Sequence, residues 1–519
     1  MAGPGEPGRA RRRLAGLLLA GLVVAATSAC TAPVAAPDAA AGRFAEQRID
    51  WQDCEDGMEC ATVLAPMDWD DPGDGRTIEI PVTRHRATGD RIGSLFMNPG
   101  GPGASGYDDV RDGWETLFSA RLAERFDLIG WDPRGVGRTT PVVCYTGVAE
   151  VEDHLYGVGG PDWRTDPEGW VRHMEEDGRA YAEACAAGTG EALEFIDSDS
   201  TIRDLDLLRA LVGDETLHYL GFSNGTHLAQ RYLDRFPERV GRLVLDGVVD
   251  PLIDRFRSEV EQEAGFELAI TRFVEQCPER FGADCPFPAG TAEGLAWIRA
   301  LLLRVDEHPL PASDPADGRT LGGATLKTAI TEALYDERHW TELLELLREL
   351  AASPPVTDTA FSLADSYHGF TPGEGLATNA ADAFVAINCA DFGTERDLAL
   401  LEARSVELAR AAPTLALDEP AHVDPACGNW RYPPRLPPEH EIRGRGLPPI
   451  LVVSTTGDPA TPYEWGVRVA ERLESGVLVT NHGEGHTVYR ASADACIRDV
   501  VDDFLIDGAV PREDPHCGR

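Results

Sequence analysis

Apolar positions follow two rhythms along this chain. Seven short runs, 77–83 (TIEIPVT), 93–97 (GSLFM), 126–131 (FDLIGW), 216–221 (TLHYLG), 242–249 (RLVLDGVV), 449–454 (PILVVS) and 476–480 (GVLVT), lead into Gly-rich turns and helical patterns. Strand, turn and helix in alternation predict an α/β fold whose mostly parallel central sheet carries helices on its faces. From about residue 251 to 447 the period becomes that of amphipathic helices, as at 266–276, 295–305, 324–334, 340–351 and 397–411. The sheet is therefore split in sequence. Residues 46–250 are expected to form its first part, 251–447 a large helical cap inserted between two core strands, and 448–519 its second part, closed by a helix at 493–505.

The N-terminus follows neither rhythm. Arg9, Arg11, Arg12 and Arg13 precede an apolar run at 14–26, and Thr27, Ser28 and Ala29 lead to Cys30. The run is too short to span a bilayer and residues 1–30 have the layout of a signal peptide, so export is expected. Small residues ending in Cys resemble a bacterial lipobox, in which Cys30 is lipidated and becomes the mature N-terminus; Thr27 stands where Leu is commoner, and ordinary cleavage near Ala29 is the alternative. A single anchored chain type needs a second hydrophobic chain for stable attachment. Residues 31–45 read as an Ala/Pro-rich tether, and at about 3 Å per residue its stretch 31–42 would reach about 35 Å.

Of eleven cysteines, ten remain without Cys30, an even set suited to an oxidising compartment. Neighbour pairing is the economical expectation: Cys54 with Cys60, Cys144 with Cys185, Cys277 with Cys285, Cys389 with Cys427, and Cys496 with Cys517. No C-x-x-C occurs and no His lies at ligand spacing from a Cys pair, so no metal site is expected.

Composition acts mainly by exclusion. With 43% apolar and 26% charged residues, most of the 519-residue chain can bury a core, and whole-chain disorder is ruled out. Asp plus Glu number 88 against 47 Lys plus Arg, and the net charge of −41 would repel a phosphate backbone, so no nucleic-acid partner is expected. Lys327 is the only lysine, so Schiff-base or pyridoxal chemistry would have to run through that residue.

The most informative motif is Gly221-Phe222-Ser223-Asn224-Gly225, directly after the run TLHYL and before a helical stretch at 226–236. A nucleophilic serine on a tight strand-to-helix turn leaves no room for side chains at the flanking glycines. Such a serine needs a base, and the base needs an orienting carboxylate, in the order Ser, Asp, His. Beyond the insertion, PILVVS runs into Thr456-Gly457-Asp458-Pro459, and GVLVT into Asn481-His482-Gly483-Glu484-Gly485-His486. Asp458 is therefore the expected acid, although an Asp before Pro also forms turns. His486, after a Gly-x-Gly turn, is preferred as base over His482, which is nearer the strand end. Thr461 either bonds the Asp458 carboxylate or caps the helix that begins near Pro462.

An acyl-transfer intermediate needs backbone N–H groups to meet its oxyanion. Asn224, after the nucleophile, supplies one. The loop Asn98-Pro99-Gly100-Gly101-Pro102-Gly103 supplies the other, with Gly101 first and Gly100 as alternative. The turn Asp132-Pro133-Arg134-Gly135-Val136-Gly137 lacks the third glycine and the acidic ribose partner of a dinucleotide site, and reads as structural, with Arg134 or Asp132 bracing neighbouring loops.

At these residues the chain resembles secreted actinobacterial serine peptidases of the α/β-hydrolase fold, similar to tripeptidyl aminopeptidases and more distantly to prolyl aminopeptidases. NPGGPG, WDPRGVG, GFSNGTHLAQRYLDRFP, GDPATPY and GEGHTVY occur in the family's order, and the resemblance covers nearly all of the mature chain. It implies an exopeptidase with a helical cap restricting access and acidic groups holding the substrate's free amine; which acidic cap residue does so is not implied. The family also includes mycobacterial cell-envelope lipoproteins described as carboxylesterases or proteases, which Cys30 and the similar architecture resemble. Asn224 departs from the family, where Tyr is commoner, but only its backbone N–H is needed.

The expected function is an exported serine hydrolase that cleaves peptides from a free N-terminus: Ser223 attacks, His486 acts as base then acid, and Asp458 orients it. No cofactor is needed, and the only membrane link would be the lipid anchor. A cell-envelope carboxylesterase with the same triad is the nearest rival, separated by the lining of the cap. A catalytically dead lipoprotein that binds peptides or glycans is the rival from another class.

Overall fold

A computed structural model describes residues 39–394, 397–417, 425–436, 440–490 and 493–518. Its strands are β1 (Gln52–Asp53), β2 (Met58–Pro66), β3 (Thr77–His85), β4 (Gly93–Asn98), β5 (Phe126–Trp131), β6 (Leu217–Phe222) and β7 (Val240–Asp246). Two short ribbons follow, β8 (Leu310–Pro311) with β9 (Thr320–Leu321) and β10 (Phe370–Thr371) with β11 (Gly375–Leu376), and then β12 (Ile450–Gly457), β13 (Gly476–Glu484) and β14 (His516–Gly518). All seven apolar runs fall on strands of one ten-stranded sheet, ordered β1-β2-β3-β5-β4-β6-β7-β12-β13-β14. Neighbours from β5 to β14 are parallel, while β1, β2 and β3 form an antiparallel edge.

The parallel strands read as near-continuous apolar runs because both of their faces are buried. Leu95, Met97, Leu220, Val244 and Leu451 pack with Val110, Phe118 and Phe504 on one face. Their neighbours Phe96, Tyr219, Leu243, Leu245 and Val452 pack with Leu205, Leu208, Leu228 and Tyr232 on the other. Each such side chain contributes about 1.5–3 kcal/mol by leaving water. Of the antiparallel edge, β3 was among the predicted runs but β1 and β2 were not: β2 (MECATVLAP) is only partly buried and mixes polar with apolar positions, so its pairing with β3 over nine residues leaves a weak pattern.

Between β7 and β12 lie the helices Arg255–Phe281, Thr291–Glu307, Gly323–Leu334, Trp340–Ala351, Asp358–His368, Ala380–Asp391 and Leu398–Ala411. The first five share a core of their own, including Phe273, Ile298, Leu326, Ile330, Trp340 and Leu347. Residues between β5 and β6 join it. The helix Val148–Tyr156 adds Val151 and Tyr156 to that core, and Pro167–Thr189 packs Tyr181 and Cys185 against Ala383, Ala386 and Ile387. The helical layer is thus built from two excursions of the chain, whereas the sequence division left 46–250 wholly with the sheet.

All five neighbour disulfides are present, Cys54–Cys60, Cys144–Cys185, Cys277–Cys285, Cys389–Cys427 and Cys496–Cys517. The tether expected over 31–45 ends earlier: Ala39–Glu46 is a 3-10 helix whose Ala41 and Phe44 are buried in the sheet's core. An average over an Ala/Pro-rich stretch hides one anchoring Phe. The expected signal peptide, Cys30 and the rest of the tether to residue 38 lie outside the described residues. Among the described residues no helix is long and apolar enough to cross a membrane.

Candidate active site

Ser223 joins β6 to the helix Asn224–Arg235 at φ 52° and ψ −124°. A non-glycine residue in this region carries about 1–3 kcal/mol of strain and persists only where its surroundings enforce it. Here the Ser223 N–H donates to the Asp246 carbonyl (2.9 Å), and the Ser223 carbonyl accepts from Thr226 N–H (2.9 Å) and Thr226 Oγ1 (2.7 Å). The flanking glycines meet the expected constraint. A Cβ at Gly221 would lie 2.7 Å from the Gly225 carbonyl oxygen, and one at Gly225 would lie 2.6 Å from that of Asn98.

Asp458 follows β12 and is buried. Its Oδ1 accepts the N–H groups of Ala460 (2.9 Å) and Thr461 (2.8 Å), and its Oδ2 accepts the Thr461 hydroxyl (2.9 Å). Thr461 therefore bonds the carboxylate, and the helix Tyr463–Arg472 has no side-chain cap. His486 Nδ1 stands 2.9 Å from both carboxylate oxygens, which leaves Nε2 as the ring atom for proton transfer. Burial works against a charged ring, but the charge and hydrogen bond of Asp458, with Asp246 beyond it, hold His486 above the ordinary imidazole range. His482 is elsewhere: exposed on β13, it stacks on His516 with Nε2 3.0 Å from Nδ1 of that ring.

The loop after β4 lies against the elbow. Gly100 and Gly101 have φ 95° and 102°, and a Cβ at Gly100 would lie 2.5 Å from the Phe222 carbonyl oxygen and 3.0 Å from Asn224 N. The Gly100 N–H already donates to Asn98 Oδ1 (3.0 Å). Beyond Gly103 opens a cavity of about 690 Å³ lined by Ala104, Asp108, Asp109, Arg138, Tyr145 and Asn379, among others. Asp108 pairs with Arg138 (2.7 Å). Burial first, then the charges of Asp108 and Asp132, push Asp109 up to about 6. The following turn braces this region. Asp132 accepts from Ser105 Oγ (2.6 Å) and Arg138 N–H (2.9 Å), and buried Arg134 reaches Asp204 (2.6 and 2.8 Å) and the Pro66 carbonyl (2.7 Å).

Three residues beside these groups escaped sequence reasoning. Tyr335, which follows the cap helix Gly323–Leu334, accepts the His486 backbone N–H on its carbonyl (2.7 Å) and sets its ring 5.7 Å from the imidazole. Asp109 reads as one more charge on an amphipathic helix. Asp246 alone had a visible signal, an acid within the buried run RLVLDGVV.

Residues 93–283 match the α/β-hydrolase fold family, and residues 416–517 match the TAP-like protein family. The serine protease Hip1 of Mycobacterium tuberculosis is 35% identical over 489 residues, 91% of each chain. Carboxylesterase B of the same organism is 34% identical over 517 residues, 97% of this chain and 96% of its own. The tripeptidyl aminopeptidase of Streptomyces lividans is 30% identical over 504 residues, 92% of this chain and 88% of its own. Similarity at this level over nearly the full length, on a fold with a serine at its strand-to-helix turn, makes this chain a member of the α/β-hydrolase family and a serine hydrolase with a TAP-like C-terminal part.

Proposed function

We propose that the protein is an exported serine peptidase that removes short peptides from free N-termini through an acyl-enzyme on Ser223. In this reading Ser223 Oγ attacks the scissile carbonyl while His486 Nε2 takes its proton, and the proton then passes to the leaving amine. Asp458 keeps Nδ1 protonated and stabilises the imidazolium. Gly101 and Asn224 donate their N–H groups to the oxyanion, because that of Gly100 is engaged by Asn98. The observation that carries the reading is the pair formed by buried Asp458 and His486 at 2.9 Å, in a protein whose serine is held at φ 52° on the elbow.

The cavity beyond Gly103 favours a free N-terminus. Asp109 is half-buried there beside two further carboxylates, and such a site gains from an incoming ammonium. Its apolar wall of Val142, Val143 and Leu376 is the observation that favours the second reading, a carboxylesterase with the same triad. Turnover of free and N-blocked peptide amides beside short acyl esters tests the choice. Cleavage of free peptides alone, with KM raised by Asp109→Asn, supports the peptidase; ester turnover with both peptide classes untouched replaces it by the esterase.

Five disulfides and the N-terminal pattern support export, and Cys30 is the residue we assign to lipidation. Mass spectrometry of the mature N-terminus tests this: a diacylglyceryl-modified Cys30 is expected, and an unmodified terminus near Ala29 would refute it.

A further inference from the structure

Asp246 closes β7, fully buried, and has no part in the scheme above. Its Oδ2 accepts the backbone N–H groups of Val488 (2.9 Å) and Tyr489 (2.7 Å). Those two residues follow His486 and Thr487, and Thr487 is itself left-handed at φ 58°. The carbonyl of Asp246 accepts the Ser223 N–H at 2.9 Å. One residue thus grips the elbow of the nucleophile and the loop of the base. Its neighbour Gly247 turns away at φ 67°, where a Cβ would lie 3.0 Å from His486 Cε1.

The remaining oxygen, Oδ1, is buried with no hydrogen-bond partner among the described residues. A loop staple alone needs one acceptor and gains nothing from a second, uncompensated oxygen, which is costly to bury. The charged groups facing Asp246 are Asp458, beyond β12, and His486; only the imidazole can turn positive. His486 in turn faces Asp458, Asp246 and, from the cap, Tyr335, whose hydroxyl stays neutral because burial first and then nearby acids raise it. Positive charge appears on this ring when the proton leaves Ser223 Oγ for Nε2. A carboxylate tied to the loop of this ring interacts most strongly with that state, in surroundings that screen poorly.

Resting on the acyl-transfer reading, we infer that Asp246 is a positioning residue for both halves of the site and a second counter-charge for the His486 imidazolium. Burial pushes Asp246 up to about 6 against the pull of its two N–H bonds, so its ionised form is present at neutral pH and above. On this inference Asp246 and His486 titrate as a coupled pair.

Asp246→Asn is the discriminating variant, because it keeps an acceptor for Val488 and Tyr489 and removes only the charge. It should still be labelled at Ser223 by a fluorophosphonate. Its kcat should fall roughly tenfold with KM within about twofold, as expected for lost transition-state stabilisation. Its acid limb in kcat/KM should move down by at least ~0.5 pH unit, since a cationic His486 loses a partner. Asp246→Ala, which also loses the clamp, should fall further, so that Asn partly rescues it. An Asn variant with the kcat and acid limb of the wild type would overturn the counter-charge and leave a staple. If Asp246→Asn is not recovered folded, the imidazole titration of His486 in the ¹⁵N-histidine-labelled wild type decides, assigned with His486→Gln. Two coupled steps support the inference and a single step overturns it. Failure of the wild type to label at Ser223 would instead remove the acyl-transfer reading, and this inference with it.

Discussion

At the scale of single residues, the site is a set of side chains whose alternatives have been used up. Asp458 has both oxygens engaged by Ala460, Thr461 and His486, so the imidazole is fixed in tautomer and direction. His486→Ala should therefore lower kcat roughly ten-thousand-fold with unchanged circular dichroism, and His482→Ala, on the exposed sheet edge, should leave kcat as it is. Thr461→Val, which removes one hydroxyl donor from Asp458, should cost about tenfold in kcat. In the proposed mechanism the base must be neutral to act, and His486 is held above the ordinary imidazole value. The acid limb of kcat/KM should accordingly have its midpoint above pH ~6.5, read from initial rates between pH 5 and 9. Ser223, Asp458 and His486 were each legible in sequence because a Gly-flanked turn or a strand end marks them. Asp109 and Tyr335 were not, because their meaning comes from what they face.

Between elements, the telling contacts join helices to the sheet. Asp391 ends the cap helix Ala380–Asp391 and accepts the N–H (2.8 Å) and hydroxyl (2.6 Å) of Ser198, at the start of the core helix Ser198–Leu211. Burial first, against these two bonds and with the charge of Asp197, pushes Asp391 up to about 7. An unfolded carboxyl titrates near ~3.9, so the folded state holds the extra proton between about pH 4 and 7, and this group's contribution to stability falls as pH rises through that window. Asp391→Asn lacks this term. Its melting temperature relative to wild type should rise from pH 5 to pH 8 in thermal melts, and a constant difference would contradict the assignment. The disulfide Cys389–Cys427 ties the same helix to Pro425–Gly428 across 38 residues. Replacing both cysteines by Ser should destabilise the folded protein by about 3–4 kcal/mol in chain-entropy terms, read from denaturant unfolding. The cap helix at 340–351 was legible residue for residue because its apolar stripe repeats at helical spacing. The strand at 58–66 was not, since a half-buried edge strand shows a diluted pattern.

Over the whole molecule the chain carries a net charge of −41, and the cavity beyond Gly103 has Asp108, Asp109 and Asp382 in its lining. Such a field draws cations in and is screened by salt. For a free, cationic peptide kcat/KM should fall as sodium chloride rises from about 20 mM to about 500 mM, while a neutral acyl ester should respond little. Equal salt dependence for both would argue against a role for this charge in substrate capture. The fold that carries the site is one sheet assembled from distant segments: β7 pairs with β12, and Asp246 holds residues 242 and 243 positions further along the chain.

What the sequence determined by itself is everything written into local periodicity and turn chemistry. The parallel strands, the helical insertion, the serine elbow and the pairing of neighbouring cysteines belong to that class. Each follows from constraints acting within a few tens of residues, such as a glycine where a Cβ would strike a carbonyl, or alternate side chains facing opposite layers. Only the tertiary structure decided that Gly100 is engaged by Asn98, that two excursions make the helical layer, that an acidic cavity opens beyond Gly103, and that Asp246 ties the elbow of Ser223 to the backbone just after His486. These depend on which surfaces meet after the sheet closes, and no local pattern encodes the partner of a side chain hundreds of residues away.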